Sequence, residues 1–469
     1  MRTECYQESV GFHSVGRRTV VGRFDGGAIT SDGGGVLLRE VDERLRLLER
    51  FAGCFRDHRK PAAVEFTVRE LVSQRVMALA LGYEDLNDHD ELRLDPLLAV
   101  LAGRQDPRGQ DRVRAQDRGK ALAGKSTLNR LELSTPEQAA GERYKRIAVE
   151  RVAVDRLLVD IFLEAHAQAP EWITLDLDAT DDPIHGEQEG RFFHGYYRNY
   201  CYLPLYIFCG EHLLGARLRP ANIDAAAGTV EEVERIVTQI RQRWPQVKIV
   251  LRADSGFCRD AILAWCEAHD EIYYVVGLAR NARLETLLAP ALSEARARYE
   301  QTQQAARVFT EFAYRTRTSW SRSRRVIGKA EVLALGNNPR FIVTNLGVEQ
   351  QAGQPLYEQV YCARGDMENR IKEQQLALFA DRTSTATLRA NQLRLYFSSI
   401  AYTLLLGLRR LGLAGTEMAR AQCQTIRLKL LKIGAQVRVT VRKVWVSFSS
   451  AYPHWQTFAQ AYHHLAAAP

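Results

Sequence analysis

Between residues 172 and 278 short apolar strands alternate with helices in an order that restricts the topology more than any other feature. Trp172–Thr180, Tyr200–Phe208 (YCYLPLYIF) and His212–Leu218 follow one another as three strands. An amphipathic helix comes next, its apolar face marked by Val230, Val233, Ile236, Val237, Ile240 and Trp244. Lys248–Ala253 then has the β-branched content of a buried strand, Arg259–His269 is helical, and Ile272–Leu278 (IYYVVGL) is a further strand. The first three strands can pair antiparallel, whereas the last two need helical crossovers and therefore run parallel to a neighbour.

This order fits a ribonuclease-H-like α/β core. Its first part spans 166–281. The preceding region, 1–165, reads as mostly helical, with one apolar face along Glu65–Leu81 and a stop at Gly82. A short helix capped by Ser126 is expected over Lys125–Glu132. Strand signals at Val308–Arg317, Val326–Leu335 and Phe341–Leu346 predict a β-rich basic insertion over 282–358. Residues 359–469 return to helix, including Leu388–Leu411, and close on the strand-like Val437–Phe448.

Bulk properties narrow the function. The chain has 469 residues, enough for two to four domains, with 46% hydrophobic and 26% charged residues, as in soluble globular proteins. The longest apolar run, Ile400–Leu408, is too short to span a membrane and reads as a buried helix. The N-terminus has no apolar signal core, so a cytoplasmic protein is expected rather than a secreted one. Eight cysteines without a CxxC pair argue against a zinc ribbon or a disulfide framework. A net charge of +8 suits a polyanionic partner. Positive charge gathers in Arg104–Arg130 and again between 307 and 331, where Arg322, Arg324 and Arg325 flank Trp320 closely. These are the candidate contacts for a polyanion, with a solvated basic face as the alternative for each, and Trp320 is either a stacking platform for an unpaired base or a buried side chain.

Three segments carry concentrated acid chemistry. In Thr174–Pro183 (TLDLDATDDP), strand alternation turns Asp176 and Asp178 to one face and does not choose between them, while Asp181 and Asp182 fall in the following turn. In Val247–Phe257 (VKIVLRADSGF), Asp254 lies just past a buried strand, where α/β sheets place ligands and where a turn cap also sits. In Tyr361–Glu373 (YCARGDMENRIKE), helical spacing sets Tyr361, Arg364, Glu368, Lys372 and Gln375 on one face. Phosphodiester cleavage with two Mg²⁺ ions needs such carboxylates as hard oxygen ligands. Three of them within ~5 Å would repel by ~3 kcal/mol per pair at an effective dielectric near 20, a penalty that cations remove. Arg364 and Lys372 could then hold phosphate oxygens. A carboxylate-pair glycosidase would need neither that basic face nor the basic insertion.

The chain resembles bacterial insertion-sequence transposases of the DDE class, in particular the thirteen-eighty insertion-sequence family, related to a wider group with a Tyr-Arg-Glu-Lys signature. The resemblance lies in Gly82–Pro96 (GYEDLNDHDELRLDP), Thr174–Gly186 (TLDLDATDDPIHG), His194–Gly210 (HGYYRNYCYLPLYIFCG), Arg252–Phe257 (RADSGF) and the YCARGDMENRIKE segment. It implies Asp178, rather than Asp176, as first catalytic and metal-binding acid, with Asp254 second and Glu368 third. It also implies two Mg²⁺ ions per site, with Mn²⁺ able to substitute, and a homodimer that holds terminal inverted repeats and target DNA in a synaptic complex. Tyr361 and Arg364 fall on the signature helix. The wider group has lysine seven residues after the glutamate; Gln375 stands there, and Lys372 is the nearest substitute. A nuclease of the same fold without strand transfer and a transposase-derived DNA-binding protein are the rival expectations.

Two weaker signals point elsewhere. Gly33-Gly34-Gly35 lacks the GK[ST] of a phosphate loop and reads as a turn. His185, His194, His212 and Cys201 match no zinc spacing, so separate polar or packing roles are expected.

Overall fold

The structure, a computed structural model, describes residues 9–467. Cys5 and the rest of residues 1–8, where a signal core is expected to be absent, lie outside the described residues. The chain forms two compact units: one is built from 151–376 and 380–399, the other from the residues up to 150, 377–379 and those from 400 onward.

The second of these units is rich in helices, with an exposed hairpin of Val10–Val15 on Arg18–Gly22 and a small sheet joining Ile29–Thr30, Ala435–Val439 and Val444–Phe448. Its central helix, Val68–Leu81, starts at a Thr67/Glu70 capping box and stops at Gly82, whose φ of 96° favours glycine. The single apolar face expected for it is not what is found: every residue from Leu71 to Leu81 is buried. Among its polar members, Gln74 donates to the Ala123 carbonyl at 2.8 Å and Arg75 to Glu132 at 3.3 Å. The triple glycine is a packing device. A Cβ on Gly34 would fall 1.8 Å from the Leu430 carbonyl oxygen, so only glycine admits that backbone approach. The helix Lys125–Leu133 begins one residue before Ser126 and is not capped by it; the Lys125 amide instead donates to Asp90 Oδ1. No helix among the described residues is long and apolar enough to cross a membrane, and Ile400–Leu408 is buried.

The other unit is organised on one nine-stranded mixed sheet. Its strands are β1 (Trp172–Ala179), β2 (Leu205–Cys209), β3 (His212–Arg217), β4 (Lys248–Ala253), β5 (Ile272–Leu278), β6 (Ala306–Tyr314), β7 (Arg324–Leu333), β8 (Gly336–Asn337) and β9 (Arg340–Thr344). The order is β3-β2-β1-β4-β5-β9-β7-β6, with β8 paired to β7. β1, β2 and β3 pair antiparallel, and β4 is parallel to both β1 and β5. Helices α1 (Arg151–Glu164), α2 (Thr229–Arg243), α3 (Asp260–Glu267) and α4 (Ala282–Thr302) accompany it.

Three local expectations change. Tyr200–Phe208 is not one strand: Pro204, which has no amide hydrogen, separates β2 from Asn199–Tyr202, and the latter joins a small sheet with Phe192–His194 and Asp182–Pro183. Asp182 is therefore in that sheet and not in a turn. The strands expected in a basic insertion are present, but β9 pairs antiparallel with β5, so they continue the central sheet. They follow α4, a 21-residue helix rich in Ala, Leu, Glu and Arg and capped by Asn281, which strand-directed reading passed over.

Alternation along the central strands divides the sheet into two faces. Ile173, Leu175, Leu177, Ile249 and Leu251 enter the large core with Ile236, Ile240 and Phe257. On the opposite face Val250, Val275, Ile327 and Ile342 pack under Leu356 and Tyr357. Burying each of those two side chains contributes about 1.5–3 kcal/mol, and it lays the chain that leads to Glu368 across the face carrying Asp176 and Asp178.

Candidate active site

Parallel register brings the first two acids together. Arg252 of β4 stands opposite Asp176 of β1 and Ala253 opposite Leu177, so Asp254, the next residue, leaves the sheet beside Asp178. Asp254 also caps the turn Ser255–Phe257, accepting from the Gly256 amide at 2.8 Å. Cap and site, alternatives in the sequence, are thus the same residue. Gly277 on β5 makes room for this corner: a Cβ there would meet the Tyr361 hydroxyl at 2.6 Å and the Ser255 nitrogen at 2.9 Å.

The third acid arrives on an irregular helical run. Wide π-type turns at Leu356–Tyr361 and Glu373–Ala377 enclose a tight turn at Cys362–Arg364 and helix α5, Gly365–Lys372. Such departures from regular geometry recur at functional sites because they re-aim side chains. Here Arg364 donates to Glu368 at 2.6 Å and its other terminal nitrogen lies 3.7 Å from Asp178. Asp178, Asp254, Glu368, Arg364, Lys372 and Gln375 line one cleft of about 560 Å³. The Asp178 carboxyl is pushed up to about 7, chiefly by burial, with Arg364 opposing and Asp254 and Glu368 adding to the rise. Tyr361, close by, has its hydroxyl raised chiefly by burial, lowered by Arg364 and raised by Asp254.

Asp176 has a different fate. It is 3% exposed and makes a fork with Arg252, at 2.5 and 2.8 Å, and Arg252 also donates to the Val360 carbonyl. This pair joins β1, β4 and the start of the glutamate run. Gln375, where the wider group has lysine, supplies a second tie: its amide donates to the Asp181 carbonyl at 3.1 Å and to Asp182 Oδ1 at 2.9 Å. Asp182 is completely buried, and burial holds its carboxyl well above the usual range. Lys372 is exposed at the cleft and takes no part in this tie.

The basic group around Trp320 is not brought to the cleft lining. Trp320 is 3% exposed, edge-on to Tyr314 in the core, so its faces are closed to a base. Arg324, with a side chain 2% exposed, is neutralised by Asp260 at 2.6 Å and Glu267 at 2.7 Å. Arg325 pairs with Glu311 at 2.7 Å, and Arg322, its side chain 66% exposed, lies 3.8 Å from Glu267. The loop after Arg104 is similarly pinned, with Arg104 on Asp111 and Arg112 on Glu65. Asp260, Glu267 and Glu65 lie far from their arginines along the chain, so local spacing could not show those pairs, whereas Asp111 and Glu311 stand in the same segments as theirs.

Several contributors escaped the sequence reading. Tyr197 donates to the Ala179 carbonyl at 3.2 Å, fixing the backbone next to Asp178, and Asn199 donates to Asp181 at 3.1 Å. His194 also lines the cleft, whereas His212 packs on Phe162. A usable signal existed: Arg252 precedes Asp254 by two residues just as Asp176 precedes Asp178, the pattern that adjacent parallel strands in register would produce.

Among the described residues no three His, Cys, Asp or Glu side chains already stand together as a metal-ligand cluster; the Arg364 guanidinium lies between Asp178 and Glu368 instead.

Comparison with known proteins adds the following. None of the curated proteins matches the chain. Among solved structures, a piggyBac transposase synaptic complex with hairpin DNA is similar with a TM-score of 0.43 at 10% identity, over 85% of this chain and 80% of that one. The family model described as Transposase DDE domain group 1 matches residues 12–469, and the chain belongs to that family.

Proposed function

We propose that this protein is the DNA transposase of a bacterial insertion sequence of the thirteen-eighty family, acting from a ribonuclease-H-like core. It binds the terminal inverted repeats, cleaves DNA strands at the element ends and joins the 3′-hydroxyl to target DNA, as a homodimer holding two ends. The observation that carries this reading is that Asp178, Asp254 and Glu368, contributed by β1, the end of β4 and α5, line one cleft with Arg364. Family membership over nearly the whole chain supports the enzyme class. The succession of three antiparallel strands and two parallel crossover strands supports the core type.

The donor set fits a hard divalent cation. All three acids offer oxygen ligands, and the Asp178 carboxyl, raised chiefly by burial and further by Asp254 and Glu368, is one whose charged form a cation would favour. Asp178, Asp254 and Glu368 would hold Mg²⁺, or Mn²⁺, which when bound supplies an activated oxygen nucleophile and charge stabilisation for the leaving oxygen. Arg364 binds and orients a phosphate oxygen beside Glu368, and Lys372 adds a second positive charge at the cleft. Tyr361 and Gly277 keep the Asp254 corner in place.

The test is strand cleavage and strand transfer on terminal-repeat DNA with Mg²⁺. Asp178→Asn, Asp254→Asn and Glu368→Gln should each abolish both while retaining repeat binding. Undiminished cleavage by any variant removes that residue from the site, and cleavage without a joined product would make the protein a nuclease only.

A further inference from the structure

The small sheet after β1 carries chemistry that the carboxylates do not use. Residues 190–202 (GRFFHGYYRNYCY) contain six aromatic residues, two arginines and no acid. Phe192–His194 and Asn199–Tyr202 form an antiparallel hairpin; Tyr202 is buried, while Phe193 is 56% exposed, Tyr196 84% and Tyr200 45%. Large aromatic rings exposed side by side in this way are uncommon without a ligand. Positive charge is built into the surface. Arg191 lies over the Tyr200 ring at 4.0 Å, and Arg198 turns the hairpin with a φ of 57°. The patch is continuous with the cleft, since Tyr196 and Tyr197 line it and the Tyr197 hydroxyl is bound to the carbonyl of Ala179, the residue after Asp178.

We propose that this hairpin is a stacking platform for unpaired nucleobases of the DNA strand whose phosphate enters the carboxylate cleft. The inference rests on the transposase reading above and gives the hairpin the role that buried Trp320 cannot fill. Aromatic faces accept any base, and the arginines match the strand's phosphates, so recognition is of unpaired DNA and not of a sequence. An active site that must grip a strand end gains hold by taking bases out of the helical stack. An acidic protein partner would fit the charge as well, but not the open ring faces at the mouth of a phosphodiester site.

The experiment compares the full chain with Phe193→Ala, Tyr196→Ala and Tyr196→Phe by fluorescence anisotropy. The probes are labelled oligothymidylate, an abasic oligonucleotide of equal length and a terminal-repeat duplex. Each alanine variant should bind oligothymidylate about tenfold more weakly, bind the abasic strand unchanged, and keep duplex affinity. Tyr196→Phe should restore the loss. Because both side chains are exposed, melting temperatures should stay at the wild-type value. Equal oligothymidylate affinity for wild type and both alanine variants, with duplex binding intact, overturns the platform and leaves the transposase reading standing; a protein partner on these rings gives that result. Failure of the wild type to bind any of the three probes overturns both.

Discussion

Two aspartates on one strand, both turned to the same face and both next to an arginine, end in opposite states. Asp176 is sealed against Arg252 with side chains 4% and 10% exposed. Asp178, two residues later, meets Arg364 only at 3.7 Å and shares its surroundings with Asp254 and Glu368. The first pair satisfies each charge with one partner and knits β1 to β4. At the second, one guanidinium faces an excess of carboxylates in an open cleft. The difference shows that local pattern supplies the acids, while the count of opposing charges around each decides whether it holds the fold or is available for chemistry.

The largest expected effect separates the two by activity. Asp178→Asn should lower Mg²⁺-dependent cleavage by at least about 1,000-fold, more than roughly 4 kcal/mol of transition-state stabilisation, with no loss of melting temperature. Equal thermal damage by Asp178→Asn and Asp176→Asn would erase the distinction. Next, removing one partner of the sealed pair, as in Arg252→Ala, should destabilise the fold by about 3–5 kcal/mol in urea unfolding, whereas Asp176→Leu with Arg252→Met should recover most of it. A Gly277→Ala change should push Tyr361 and the Asp254–Ser255 backbone aside, cutting cleavage on the order of 100-fold with the fold intact; wild-type kinetics would remove Gly277 from the support of the site. Gln375→Ala leaves buried Asp182 without its donor and should cost about 1–3 kcal/mol, seen as a lowered denaturation midpoint.

A buried histidine with no acid or base hydrogen-bonded to it gives an effect read only through pH. His89 is fully buried, its ring nitrogen bonded to Gln74, and burial with help from Arg75 depresses it to about 3. The unfolded chain then binds a proton below pH 6.5 that the folded chain refuses. Stability from this residue is complete above 6.5 and falls as pH drops toward 3, by up to about 1.4 kcal/mol per pH unit. His89→Gln should flatten the pH dependence of urea midpoints between 6.5 and 5; an unchanged slope would show that other groups set it.

Much of this arrangement was legible along the chain. The strands β1, β4 and β5 and the Arg364–Glu368 spacing follow from period-2 and near-3.6 patterns, which depend on neighbours only. The burial of Arg324 was not legible because its partners on α3, Asp260 and Glu267, lie some sixty residues earlier. The broken second strand was legible in principle at Pro204, since a missing amide hydrogen is a local property. The role of Gln375 was not, because Asp182 is nearly two hundred residues away.

By itself the sequence determined that acids stand at a strand, past a strand end and on a helix, because alternation, helical phase and turn chemistry are short-range. It also determined the antiparallel-then-crossover order of the first five sheet strands. Only the tertiary structure decided which aspartate of β1 is spent on a buried arginine, which basic residues are already neutralised, and which aromatic rings remain open. Those outcomes depend on what meets a side chain across the sheet, and desolvation and charge pairing act through space regardless of distance along the chain.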